Sequence, residues 1–457
     1  MIKKIIYLYF LILFILITGC SFDKKTGIWS GEEKEIKRIE ALEREQQRIS
    51  NTEKIYSSHN TFAEEIKAIK TISLSQPTKK KSWPMSGANL QNYIGNIYLS
   101  GVDKKFVKKK VGKNKFLLSK NIAPPLIYDN SIYLYDDTGT VFKISKKGKK
   151  IWKRNIYKKI YKKMHKRLSL AIYENKIFVS DNIGFIYALN IDNGKLLWIK
   201  NHGIPFKSRL KIFNDKIFVI NQDNKLICLD TKKGAKIWDV RSIPSFIKSQ
   251  YLLSIAISKE GDLVMLNSSG DLIKLRTKDG RMHWTLSATG PAVSSTSDFF
   301  KSSDVVIADE EIILSTSSSI LSFDLRSGFL NWAQNIGSRS APIVDGEHVF
   351  LVSEEGYFVS INRKTGKIIW STNILKVLKK SWKLFLEKKH KTQVTGFIMG
   401  SGKIYATTFN GYLIVCSATS GEVEYYKRIS IANTSRPIIS NNSLFVLTKK
   451  SKIIGFN

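Results

Sequence analysis

From residue 117 onward the apolar residues fall in short runs, and the spacing is that of strands. Ile177-Phe178-Val179-Ser180, Ile217-Phe218-Val219-Ile220, Val349-Phe350-Leu351-Val352 and Ile404-Tyr405-Ala406-Thr407 are β-rich and are bounded by Gly, Asn and Asp, the pattern of strands joined by tight turns. One unit reads in full. Ile177 to Ser180 is a strand, Asp181-Asn182-Ile183-Gly184 a turn, and Phe185 to Asn190 a second strand; Ile191-Asp192-Asn193-Gly194 turns again, and Lys195 to Lys200 is a third strand. After such runs a tryptophan stands four residues behind a glycine: Gly148/Trp152, Gly194/Trp198, Gly234/Trp238, Gly280/Trp284, Gly328/Trp332 and Gly366/Trp370. A seventh instance, Gly421/Tyr425, has tyrosine in that place. Successive tryptophans lie 46, 40, 46, 48 and 38 residues apart. That period suits one four-stranded propeller blade. The glycine supplies the positive φ of a tight hairpin, and the flat indole fills the wedge between blades. An array of β-sandwiches would not need this register seven times.

The fold class expected is all-β: an eight-bladed β-propeller with four-stranded blades, seven blades being the rival count. After Tyr425 come Ser435 to Ile439, Leu444 to Leu447 and Lys452 to Phe456, a blade short of its last strand. Tyr98 to Val111 precedes the first repeat and can supply that strand. Pairing the chain ends in one sheet closes the ring and removes free edges. The domains expected are a signal peptide over residues 1–19, a tether over 20–80 and the propeller over 81–457.

The chain start carries Lys3 and Lys4, an apolar run from Ile5 to Ile17, and then Thr18-Gly19-Cys20. A basic start, a short apolar core and small residues before a cleavage point make a secretory signal, and the run is too short to span a bilayer comfortably. It resembles the lipobox of bacterial lipoproteins, in which the cysteine thiol receives a diacylglycerol, so Cys20 is the expected lipid attachment. Acyl chains hold by burying methylenes at about 0.8 kcal/mol each. The alternative is an uncleaved anchor or an ordinary signal. Ser21, where the enterobacterial sorting rule reads Asp as inner-membrane retention, favours the outer membrane, periplasmic face. Glu32 to Arg48 alternates acid and base and reads as a short exposed helix in the tether or as a disordered linker.

The net charge is +36. A basic protein can bind nucleic acid, anionic lipid or an acidic partner; export argues against nucleic acid. The competing reading is compositional, since lysine greatly outnumbers arginine and Ile and Asn are plentiful. Of three cysteines, Cys228 and Cys416 fall in repeats three and seven, too far apart in a closed ring for a bridge. The six histidines are scattered, and no Cys/His spacing suits a metal.

The unit resembles the quinoprotein-type tryptophan-docking repeat, Ala-x-Asp-x-x-x-Gly-x-x-x-Trp. Cys228-Leu-Asp230 through Trp238 fits with Cys for Ala, and Ser322-Phe-Asp324 through Trp332 fits with Ser; Ala188-Leu-Asn190 and Ser360-Ile-Asn362 are close variants, and Lys274-Leu-Arg276 departs further. The resemblance covers residues 117–457. With the lipobox, and with the runs Asp324-Leu-Arg-Ser-Gly328 and Ala341-Pro-Ile-Val-Asp-Gly346, the chain is similar to the BamB family of lipoproteins. That resemblance implies a non-enzymatic scaffold of the outer-membrane β-barrel assembly (BAM) machinery. It would bind the barrel-inserting subunit and unfolded outer-membrane protein precursors, with no cofactor. The long tether and the extreme basic charge depart from the family pattern. A quinone-dependent dehydrogenase shares the repeat but needs a carboxylate base, calcium ligands and often a vicinal cysteine pair; the sequence has neither vicinal cysteines nor Cys-x-x-Cys-His, and a shared fold does not license activity. A cell-wall or sugar-binding propeller is the other alternative, with Trp382 outside the repeat register.

Three groups of residues are candidates. Trp152, Trp198, Trp238, Trp284, Trp332, Trp370 and Tyr425 are expected to dock blade on blade. Asp324 and Arg326 are candidates for partner contact, the plainer reading being that Asp324 caps its turn. Between Arg154 and Arg167, Ile156, Ile160 and Met164 recur as on one helix face with Lys158, Lys159, Lys162, Lys163 and Lys166 opposite; the alternative is an inter-blade strand and a solvated loop. Lys376 to Lys391 places Leu378, Trp382 and Phe385 among Lys379, Lys380 and Lys383, an insertion between blades six and seven. The two stretches would form a basic rim facing membrane or partner, at about 1 kcal/mol per basic residue near an anionic surface.

Overall fold

A computed structural model describes residues 21–22, 29–30, 62–68, 72–115, 122–161, 164–242, 252–288, 302–379, 392–431 and 433–457. The chain divides into two compact units, Met1–Thr61 and Phe62–Asn457. In the first, Ser21–Phe22 pairs antiparallel with Trp29–Ser30. Cys20, the signal run and the expected tether helix lie outside the described residues, as do Lys380, Trp382, Lys383 and Phe385.

The second unit is an eight-bladed propeller of four-stranded antiparallel sheets. Blade 1 runs from Leu126 to Asn155, blade 2 from Leu168 to Asn201, blade 3 from Lys211 to Arg241 and blade 4 from Ser254 to Ser287. Blade 5 spans Val306 to Gln334, blade 6 Ile343 to Asn373 and blade 7 Val394 to Arg428. Strands follow one another outward in chain order, and the first strands of neighbouring blades touch around the axis. The inner strands are apolar on both faces because each blade is covered by its two neighbours. In blade 3, Ile217 to Ile220 are all buried, whereas the outer strand Lys236–Arg241 is half-buried at best.

Blade 8 closes the ring. Ile438–Ser440, Ser443–Leu447 and Lys452–Phe456 come from the chain end, and Lys105–Lys110 adds the outer strand, with Lys105 opposite Phe456 and Lys110 opposite Lys452. The blade count of eight and the closing strand within Tyr98 to Val111 are therefore as the sequence predicts.

The stretch from Ile72 to Ser100 forms no regular element and had no sequence signal. It is a strap that bonds to every blade. Trp83 pairs with Ile127 of blade 1, and Ile172 of blade 2 donates its N–H to Pro84 O at 2.8 Å. Blades 4 and 5 donate from Ile257 to Leu90 O and from Ile307 to Gln91 O, and blades 7 and 8 from Ser401 to Ile97 O and from Asn441 to Lys80 O. In blade 6 the Asp345 carboxylate accepts the Ser75 N–H at 2.9 Å; blade 3 contributes Lys211, described below. These partners lie on or just after the first strand of each blade, so the strap lies across one mouth of the axial channel.

Candidate functional site

The tryptophan and the glycine of one repeat serve different interfaces. Each indole lies over the glycine of the next blade's outer hairpin. A Cβ on Gly194 would stand 2.8 Å from Trp152, one on Gly234 2.6 Å from Trp198, and one on Gly421 2.6 Å from Trp370. Four of the six indole N–H groups donate to a carbonyl of that same turn, among them Trp152 to Ile191 O at 3.0 Å, Trp284 to Arg326 O at 3.1 Å and Trp332 to Arg363 O at 2.7 Å; those of Trp238 and Trp370 have no hydrogen-bond partner among the described residues. Opposite each tryptophan across its own hairpin is the first residue of the motif, such as Ala188 or Cys228, and the register shifts there by a bulge, which turns the ring toward the neighbouring blade. The third motif residue serves the turn: Asp230 Oδ1 accepts the N–H groups of Lys232 and Lys233 at 2.9 and 2.6 Å. Tyr425 differs. It is 37% exposed, because blade 8 offers it no hairpin: there the two outer strands are not joined by a turn, and Lys104 and Asn457 exchange backbone hydrogen bonds across them.

At the axis, charged side chains from non-adjacent blades converge. Arg209, just before blade 3, pairs with Asp304, just before blade 5, and its guanidinium also donates to Ser86 Oγ of the strap at 2.6 Å. Arg436, just before blade 8, faces the same pair; burial lowers its pKa to about 10. Lys211 lies beneath, 1% exposed, its ammonium donating to Ser86 O, Asn89 O and Asn92 Oδ1 at 2.8, 2.6 and 2.6 Å. None of these residues stood out in the sequence, where each is one cation among many. Burial pulls the Lys211 pKa from 10.5 down to about 7. Between those values the folded chain has shed a proton that the unfolded chain keeps. Stability should therefore rise from about pH 7 to about pH 9, by at most about 1.4 kcal/mol per pH unit from this group. Lys211→Met should flatten that slope in urea unfolding at the two pH values; identical slopes in both proteins would mean that Lys211 does not titrate there.

Asp324 Oδ1 accepts the backbone N–H and the hydroxyl of Ser327, each at 2.6 Å, and these bonds hold its pKa below the usual carboxylate range. It caps the hairpin turn. Arg326 is exposed and pairs with Glu310 at 3.2 Å. Lys379 ends the short helix Lys376–Lys379, between blades 6 and 7. The stretch Arg154–Arg167 is not one helix: Lys150–Asn155 is the outer strand of blade 1, followed by a 3-10 turn over Lys159–Tyr161. Ile160 and Met164 are exposed rather than aligned on a buried stripe. Tyr157 fastens this connection by donating to Asp181 Oδ2 at 2.6 Å.

These interfaces define a class, the tryptophan-docked propeller of the quinoprotein repeat. The family model for the outer membrane protein assembly factor BamB matches residues 111–208 and 137–372, together more than half of the chain. The chain belongs to the BamB family. The BamB of Moranella endobia is 20% identical over 304 residues, covering 61% of this chain and 72% of that protein. The crystal structure of BamB from Moraxella catarrhalis superposes with a TM-score of 0.59 at 15% identity, over 77% of this chain and 99% of that one. A europium-containing methanol dehydrogenase superposes with a TM-score of 0.62 at 11% identity, over 80% of this chain and 89% of that one.

That last likeness is one of fold, and the axis here does not fit a metal-assisted quinone. Among the described residues the axial cluster offers one carboxylate, Asp304, already engaged by Arg209. No group of three or more His, Cys, Asp or Glu converges among them. Cys228 and Cys416 are separately buried in blades 3 and 7, and burial pushes each thiol up to about 12.

Proposed function

We propose that this protein is a non-catalytic scaffold of the outer-membrane β-barrel assembly machinery. In this reading the lipid at Cys20 holds it on the periplasmic face of the outer membrane, and the propeller binds the barrel-inserting subunit and assists unfolded barrel precursors. The observation that carries it is the match of the family model to the ring itself. The shape of the ring supports it. Among the described residues each outer strand leaves one edge unpaired, and that of blade 2 exposes Leu196, Leu197 and Ile199, so an extended chain has both backbone groups and apolar side chains to meet. Arg326 and the basic stretch holding Lys379, Lys380 and Lys383 are the side chains assigned to partner contact.

The test is a pull-down of the acylated protein from detergent-solubilised envelope. The barrel-inserting subunit should be recovered, and less of it with an Arg326→Glu, Lys379→Glu double variant. Recovery of only cell-wall enzymes or redox proteins would overturn the reading.

A further inference from the structure

The basic charge of this propeller is not spread evenly around the ring. The stretch Lys104–Lys115, which holds the closing strand of blade 8, contains seven lysines and no acid; Thr140–Tyr161, which holds the outer strand of blade 1, contains nine Lys or Arg and no acid. Outer strands elsewhere differ: Leu330–Gln334 and Ile368–Asn373 hold no cation, and in blade 3 Asp239 pairs with Lys225 and Lys236. A purely compositional excess of lysine would not sort itself this way.

The two stretches form one surface. A Cβ on Gly148, in the hairpin of blade 1, would stand 3.3 Å from Lys109 Cβ and 3.1 Å from Val107 Cγ2. The closing strand thus fills with Val107 and the Lys109 stem the place that an indole takes at the other blades. Lys146 reaches back over the Phe106 ring, 5.6 Å from its centroid. On blade 8, Lys105, Lys108, Lys109 and Lys110 are exposed; on blade 1, Lys149, Lys150, Lys153 and Arg154 are exposed. Among the described residues none of these eight has an acidic partner within ion-pair distance.

We infer that the outer wall of blades 8 and 1 is a docking surface for an anionic phospholipid bilayer. Its chemistry favours lipid over a protein. The cations are almost all lysines, strongly hydrated point charges on flexible stems, which lack the fixed fork by which arginine reads a shaped acidic epitope. Among these eight cations Ile151 is the one large exposed apolar side chain on the two strands, Ile160 lying beyond them in the connection to blade 2, so the strands themselves, among the described residues, lack the clustered apolar anchors on which protein interfaces depend. A carpet of headgroup phosphates asks only for density of charge near its surface. An edge strand also gains from lysine as protection against pairing with another chain, but that protection needs no matching nine cations on blade 1. The inference is independent of which protein the ring binds: it assigns one side of the propeller to the membrane and leaves the other blades free.

The experiment uses the chain from residue 20 onward with Cys20→Ser, so that no acyl group contributes, and co-sedimentation with phosphatidylcholine vesicles with and without phosphatidylglycerol. Binding should require phosphatidylglycerol and fall with salt. Replacing Lys105, Lys108, Lys110, Lys149 and Lys153 with Glu should lower partitioning roughly ten-fold or more. A control with Lys195, Lys200, Lys232, Lys233 and Lys367 changed to Glu, exposed on blades 2, 3 and 6, carries the same net charge and should bind nearly as the parent does. All ten side chains are exposed, so both variants should keep the parent's circular dichroism and melting. Equal loss in both variants would reduce the effect to net charge and overturn the inference, as would unchanged binding of the wall variant. So would a tighter grip on polyglutamate or a short DNA duplex than on the vesicles.

Discussion

Replacing Trp83 with alanine is expected to cost about 3–5 kcal/mol of folding stability, the range for truncating a fully buried large aromatic, and to expose the strap to protease. Trp83 is 2% exposed and lies in the main hydrophobic cluster, with Leu126, Ile127, Leu168, Phe445 and Ile454. That cluster joins blades 1, 2 and 8 across the point where the ring closes. Its backbone exchanges two hydrogen bonds with Ile127, at 2.6 and 3.1 Å. An indole removed here leaves a cavity under the seam, and neighbours held by sheet hydrogen bonds cannot collapse into it. The rest of the strap is held mostly by backbone donors and acceptors, which the substitution does not touch. The variant should therefore keep the circular dichroism of the parent while its urea midpoint falls and limited proteolysis finds new cuts between residues 72 and 100. A loss below about 1 kcal/mol, within the scatter of surface substitutions, would make the strap a superficial covering.

The contrast between what was legible and what was not has a physical origin. The blades announce themselves because each needs a residue able to take positive φ at its outer turn and a flat ring to meet the glycine of the next blade. Both are requirements on side chains, so they leave a mark in the sequence: Gly194 has a φ of +66° and touches Trp152. The closing strand was legible by subtraction, as the one piece a blade lacked. The strap was not, because it binds through its backbone and through single polar side chains that recur with no period. Asn89, Asn92 and Asn96 look like ordinary loop residues, yet Asn92 Nδ2 donates to Ile255 O and Val305 O at 3.0 and 2.8 Å, joining blades 4 and 5. Lys211 and Arg209 were hidden for another reason: in a chain with 74 Lys and Arg, a buried cation has no distinguishing neighbours in sequence. Helix-like spacing between Arg154 and Arg167 misled because a strand, a turn and a loop in succession repeated an apolar residue every fourth position by chance.

Truncating the docking residues one at a time should give a graded series around the ring, with Trp370 near the top and Tyr425 at the bottom. Trp370 is fully buried, packs edge-on against Phe358 with centroids 4.7 Å apart, and lies on Gly421. Trp370→Ala should cost about 3–5 kcal/mol. Tyr425 occupies the same repeat position but is 37% exposed and faces a seam where no hairpin turn joins the strands, so Tyr425→Ala should cost about 1 kcal/mol or less. Gly421→Ala tests the same contact from the other side. It forces a side chain onto a residue at φ +76° and sets a Cβ 2.6 Å from the indole, so it should destabilise as well, and should add little on top of Trp370→Ala because the indole it strikes is then gone. Denaturant unfolding of the three single variants and the Gly421→Ala, Trp370→Ala double variant supplies all four numbers. Equal costs at Trp370 and Tyr425 would mean that the ring's rigidity does not come from indole on glycine, and full additivity of Gly421→Ala with Trp370→Ala would mean that the glycine is required by its turn alone.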